Sequence, residues 1–126
     1  MNRKTELGKI GEDLACGYLV EKGYKIIERN WKKPWGELDI IARGPDKTLV
    51  FVEVKTMKHF TSGIKPEDQM TAAKLGKVRR AASLYAGSGR TTVSKRGWRI
   101  DALALTVNLK EDGEYTLASI AHYENI

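Results

Sequence analysis

A chain of 126 residues with 41% hydrophobic and 30% charged content can bury a core of its own, which predicts one domain over residues 1–126. No apolar run approaches the ~18 residues of a membrane span, no signal-peptide core follows Met1-Asn2-Arg3-Lys4, and the lone Cys16 excludes an intramolecular disulfide framework. The expectation is a cytoplasmic protein without a membrane partner. Its net charge of +6 is unevenly placed: Gln69 to Ile100 holds eight basic and no acidic residues, leaving −2 for the rest. That segregation suggests a polyanion partner, against the plainer reading of a solvated basic face.

The first element is a helix from about Thr5 to Lys22, with Leu7, Ile10, Leu14 and Tyr18 at helical spacing and Gly23 as its stop. Glu12 projects to the border of the apolar arc, near Gly8, Cys16 and Leu19. It is either an exposed helix glutamate or a carboxylate reaching toward a site. Cys16 reads as core filler, since no histidine lies near it in sequence. Tyr24 to Trp31 alternates as a strand, with Tyr24, Ile26 and Glu28 on one side. Lys32-Lys33-Pro34 is expected to break it.

Two apolar runs, Gly36–Arg43 and Thr48–Met57, then flank Gly44-Pro45-Asp46-Lys47, the signature of a β-hairpin. The second run is apolar on both faces and reads as a central strand. Asp39, Glu53 and Lys55 stand in these runs where apolar side chains are usual. Glu53 and Lys55 share a face by the period of two, and a pairing whose residue numbers sum to 92 would set Asp39 opposite Glu53. An odd-sum register would separate them onto opposite faces.

A loop is expected over residues 58–64, then a second helix from Pro66 to about Ala86, with Glu67 and Asp68 at its positive end. Its stripe is Thr71, Leu75, Val78, Ala81, Ala82 and Tyr85. Lys74 falls on that stripe and would snorkel to an edge, there to meet a phosphate. Arg90 to Arg96 reads as a loop, Trp98 to Val107 as a strand, Asp112-Gly113 as a turn and Tyr115 to Ala121 as the last strand. Asp101, on the face of Leu103, Leu105 and Val107, needs a partner, and a nearby arginine is the simple answer.

Two close carboxylates repel unless one protonates or a cation sits between them. Oxygen-only donors favour Mg²⁺ or Mn²⁺ over Zn²⁺. His59 and His122 lack zinc-site spacing, and one cysteine cannot build a thiolate site. A lysine beside such an ion can stabilise charge developing on a phosphoryl group, so the chemistry indicated is metal-dependent phosphodiester hydrolysis. The plainer reading is a structural ion cluster at a sheet edge.

The order helix, strand, Asp-bearing strand, Glu-x-Lys strand, helix, strand resembles the core of the restriction-endonuclease-like PD-(D/E)xK superfamily. More narrowly, the chain resembles the YraN-like family of small bacterial predicted nucleases, related to archaeal Holliday-junction resolvases. Gly8-Lys9-Ile10-Gly11-Glu12-Asp13-Leu14-Ala15, Gly36-Glu37-Leu38-Asp39-Ile40-Ile41-Ala42 and Phe51-Val52-Glu53-Val54-Lys55-Thr56 carry the match, with Lys74, Ala81-Ala82, Tyr85 and Arg99-Ile100-Asp101 following. The resemblance implies an α/β fold, a mixed sheet of about five strands flanked by helices. It implies that Asp39 and Glu53 bind metal, that Lys55 assists hydrolysis, and that Glu12 and Glu37 join the site. Met57 stands where the family usually has arginine, and the motif's proline is absent before Asp39. The function expected is a Mg²⁺- or Mn²⁺-dependent nuclease on DNA, including branched or structured DNA, with Lys74, Lys77, Arg80 and Arg96 holding the nucleic acid. A catalytically inactive nucleic-acid-binding or assembly module on the same fold is the alternative. Branched-DNA cutting would favour a homodimer, although no apolar stripe in the sequence identifies an interface.

Overall fold

The computed structural model describes residues 5–59 and 70–126. The elements run α1 (Glu6–Glu21), β1 (Lys25–Lys33), β2 (Gly36–Arg43), β3 (Leu49–Lys58), α2 (Ala72–Gly87), β4 (Trp98–Leu109) and β5 (Tyr115–Tyr123). The strands form a five-stranded sheet in the order β1-β2-β3-β4-β5. All neighbours are antiparallel except β3 and β4, which run parallel with α2 as the crossover. This mixed sheet flanked by two helices is a restriction-endonuclease-like arrangement, and β3 lies at its centre.

The two faces of the sheet carry separate cores. On one, α1 packs Ala15 and Leu19 against Ile40, Ala42, Val50, Val52, Leu103 and Leu105. On the other, α2 packs Val78, Ala81, Ala82 and Tyr85 against Leu38, Ile41, Leu49, Phe51 and Ile100. β3 thus divides its alternation between two helices, which is why both of its faces are apolar. Burial also pushes the Cys16 thiol up, in keeping with its role as filler against the α1 core.

The local signals act as their chemistry requires. Thr5 caps α1 by accepting from Gly8 N at 3.0 Å, and Gly23 ends it at φ +90°. Thr71 was expected on the apolar stripe of the second helix. It is instead the N-cap, accepting from Lys74 N at 3.3 Å, so α2 begins at Ala72 rather than near Pro66. Pro66, Glu67 and Asp68, and most of the loop expected before them, lie outside the described residues.

β1 departs twice from the expected pattern. It continues through Lys32 and Lys33, and Pro34-Trp35 makes the turn into β2. A register shift between Ile26 and Glu28 also breaks its alternation. Ile26 joins the α1 core, Ile27 the α2 core, and Glu28 accepts from Tyr85 Oη at 2.6 Å on the α2 side. Arg90 clasps Glu28 with two bonds, Nε at 2.8 Å and Nη2 at 2.7 Å, holding that carboxyl below its usual range. This contribution is present above about pH 4.5, the ordinary value, and is lost as pH falls through the lowered one.

α1 meets the sheet at Gly11, where helix backbone lies on the Thr56 side chain. A Cβ on Gly11 would stand 2.7 Å from Thr56 Cβ and 2.8 Å from its Cγ2. Gly11→Ala is therefore expected to destabilise by about 1–3 kcal/mol through overpacking, read as a lower urea midpoint at unchanged slope. Gly17, in the same helix, has nothing within 4 Å of such a Cβ. Gly17→Ala should shift the midpoint the other way, by roughly 0.5–1 kcal/mol of helix propensity.

Candidate active site and basic cleft

The hairpin holds the expected register. Its pairs are Arg43↔Leu49, Ala42↔Val50, Ile41↔Phe51 and Ile40↔Val52, and each sums to 92. Asp39 and Glu53 come one step beyond the last pair, where the ladder ends. There the Asp39 carboxylate takes over from the backbone: its Oδ2 accepts from Val54 N at 2.9 Å. An ionised oxygen on a backbone amide is a strong acceptor, so the bond aims Asp39 at β3. Val54 is the central residue of Glu53-Val54-Lys55, and Asp39 is 8% exposed.

Glu53 and Lys55 continue the face of Leu49 and Phe51, which pack toward α2. Lys55 Nζ lies 3.9 Å from Glu53 Oε1, and their side chains are 24% and 17% exposed. Partial burial strengthens this pair over a surface one while leaving the carboxylate accessible.

Lys55 also belongs to an open cleft of about 680 Å³ between the β1–β2 turn and α2. Among the described residues its cationic lining is Lys32, Lys33, Lys55, Lys74, Lys77 and Arg80, against the single carboxylate of Glu37. The walls meet closely: a Cβ on Gly36 would lie 3.1 Å from Ala81 Cβ, so α2 sits directly on the start of β2. Lys74, Lys77 and Arg80 are exposed along this edge, as the sequence led one to expect. Arg96 is not in this lining. It stands on the turn before β4, which enters beside Leu49, at the opposite end of β3 from Lys55.

Glu12 is almost wholly buried at 1% exposure, which decides against an exposed helix glutamate. Its Oε1 accepts from Arg29 Nε at 3.1 Å and from Asn30 Nδ2 at 2.8 Å. Asn30, at φ +53°, stands between the pairs Arg29↔Ile40 and Trp31↔Leu38, across from Asp39. Its left-handed backbone lets both Arg29 and Asn30 turn toward α1. Glu12 is thus tied to the strand position facing Asp39. Glu37 lines the cleft as an exposed residue.

A second cluster lies elsewhere. Asp101, His122 and Glu124 bring carboxylate and imidazole atoms within 4.8 Å of one another, the one grouping of three such donors among the described residues. Asp101 is 0% exposed and accepts from Arg99 Nε (2.9 Å) and Nη2 (3.3 Å), Asn125 N (3.0 Å) and His122 Nε2 (2.8 Å). His122 Nδ1 is 3.0 Å from Tyr18 Oη, so one neutral tautomer satisfies both of its contacts. The expected arginine partner is Arg99. The contacts from His122 and Asn125, 21 and 24 residues away, had no sequence signal. With a guanidinium already on Asp101, this cluster reads as a structural tie between β4, the end of β5 and α1. Lys32, Lys33 and Trp35 also line the cleft, which the sequence does not display: Lys32-Lys33-Pro34 has the look of a strand break, and nothing near Trp35 in sequence points to α2.

A sequence profile described as "Uncharacterised protein family UPF0102" matches residues 11–105. The chain belongs to this family. A UPF0102 protein of Syntrophomonas wolfei is 49% identical over 85 residues, 68% of this chain and 70% of the relative. One of Dictyoglomus thermophilum is 37% identical over 118 residues, 93% of this chain and 98% of the relative. The matched region runs from Gly11 and Glu12 through Asp39, Glu53, Lys55 and the cleft lysines to Asp101 and Leu105, so UPF0102 membership covers the whole candidate site. No helix of the described residues is long and apolar enough to cross a membrane.

Proposed function

We propose that this UPF0102 protein is a divalent-metal-dependent nuclease that hydrolyses phosphodiester bonds of DNA, with branched or structured DNA among its substrates. The observation that carries the reading is the bond from Val54 N to Asp39 Oδ2, because it ties the Asp39 carboxylate to the backbone of the residue between Glu53 and Lys55. The donor chemistry fits a hard cation: Asp39 and Glu53 offer oxygen alone, one from each of two parting strands. Bound there, Mg²⁺ or Mn²⁺ would supply charge neutralisation at the phosphate and acidify water.

The protein's own groups have separable roles. Val54 N fixes the orientation of Asp39. Glu53 tethers Lys55, whose ammonium opens onto the cleft and would stabilise negative charge developing on the phosphoryl oxygens. Lys74, Lys77 and Arg80 would hold flanking phosphates without reading sequence. Buried Glu12 acts through Arg29 and Asn30 as a positioning residue for this end of the sheet.

The test is cleavage of labelled linear, nicked and four-way-junction DNA with Mg²⁺ or Mn²⁺. Lys55→Ala should lower the rate by on the order of 10²-fold while binding changes little. A second reading, a catalytically inactive nucleic-acid-binding module, draws on one observation: among the described residues the acidic pair does not gather a third donor within 4.8 Å. Binding without cleavage of any of the three DNAs by the wild type would select that reading.

A further inference from the structure

We infer that Trp35 is a base-stacking platform and that the cleft takes an unpaired stretch of nucleic acid. This rests on the reading of the cleft as a polyanion site. The protein has three tryptophans, and two are engaged in the fold. Trp31 meets the Tyr85 ring edge-on at 5.4 Å, and Trp98 meets Phe51 at 5.6 Å. Trp35 is 51% exposed and forms part of the cleft lining.

Its mounting is rigid. The turn is two residues long, Pro34-Trp35, closed by the pair Lys33↔Gly36. Proline fixes the backbone angle before the indole, and α2 clamps Gly36 from behind. A large apolar side chain left in water at a tight turn gains nothing for the fold. Lining the same cleft as Lys33, Lys74 and Lys77, it suits a ligand that joins an apolar flat surface to regularly spaced negative charge. A protein partner reading an exposed indole would meet repulsion from this rim unless strongly acidic, whereas a polynucleotide supplies both features at once.

Stacking also selects the state of the nucleic acid. Inside a duplex both faces of each base are covered by neighbours. A side chain at a turn tip that stacks on an unpaired base needs one freed at a flap, gap or single strand. The cations of α2 would follow the phosphates on either side of that base.

The test is fluorescence anisotropy in EDTA, which removes cleavage, with a thymidine oligonucleotide of about 16 nucleotides, its uridine counterpart and a blunt duplex of equal length. Trp35→Ala should weaken binding of both single strands by on the order of tenfold, with duplex affinity and the salt dependence unchanged. Trp35→Phe should restore most of the loss. Single-strand binding by Trp35→Ala at wild-type strength, or equal loss on single strand and duplex, would overturn the stacking role and leave the polyanion cleft standing. Absence of wild-type binding to all three probes, or binding indifferent to the combined Lys74→Ala, Lys77→Ala and Arg80→Ala changes, would remove the cleft reading and this inference with it.

Discussion

Asp101→Ala is expected to cost about 3–5 kcal/mol of stability, the largest loss from any single side chain outside the apolar cores. Asp101 is fully buried, and its two oxygens together take four bonds. Truncation removes all of them and leaves the Arg99 guanidinium, 20% exposed, with Tyr24 Oη at 3.0 Å and the distant Glu124 at 3.8 Å among the described residues. It also releases His122, at the end of β5, and Asn125 N, in the chain after it, both of which are fastened to β4 through Asp101. Asp101→Asn keeps the shape but cannot receive the guanidinium fork twice over, so it should recover a minority of the loss. Urea denaturation followed by far-ultraviolet circular dichroism decides the matter. If Asp101→Ala stays within 1 kcal/mol of wild type, the cluster is not what joins β4 to the C-terminal segment.

This cluster also explains why charge in the sequence was an imperfect guide. Of the eight cations between Gln69 and Ile100, Arg90 is bonded to Glu28 and Arg99 to Asp101. Both pair with carboxylates outside or at the end of the basic window, so counting within the window made them look available. Lys74, Lys77 and Arg80 do line the cleft, because helical spacing on one edge of α2 is a local property that sequence displays. Lys32, Lys33 and Trp35 were hidden for another reason. β1 is an edge strand, so consecutive lysines before a proline do not end it.

The hairpin was legible because Gly44-Pro45-Asp46-Lys47 closes it locally. Gly44 N donates to Thr48 O at 2.8 Å and Asp46 Oδ1 accepts from Thr48 N at 3.0 Å, so the turn sets the register for every pair above it. The bulge at Ile27 had no comparable signal. Both neighbours are isoleucine or glutamate, and only the two cores decide which face each takes. Burial of Glu12 likewise follows from the close approach of Gly11 to Thr56, a contact between residues far apart in the chain.

Millimolar Mn²⁺ or Mg²⁺ is expected to raise the Tm of the wild type and to leave that of Glu53→Ala and Asp39→Ala unchanged. The argument is linkage: a ligand that binds only the folded state adds RT ln(1 + [L]/Kd), about 2.7 kcal/mol at a hundredfold excess over Kd. For a chain of 126 residues that amounts to several degrees. Asp39→Ala carries a confounding cost, because Val54 N loses its acceptor. Asp39→Asn separates the two effects: the amide oxygen can still accept from Val54 N, while the charge needed to hold a cation is gone. Asp39→Asn should therefore melt near wild type without metal and fail to respond to it. Glu53→Gln should behave alike, with Lys55 losing its tether. A metal-induced rise that survives Asp39→Asn and Glu53→Gln but vanishes in Asp101→Asn would move the cation to the Asp101–His122–Glu124 cluster. No rise in the wild type would favour the binding module over the nuclease.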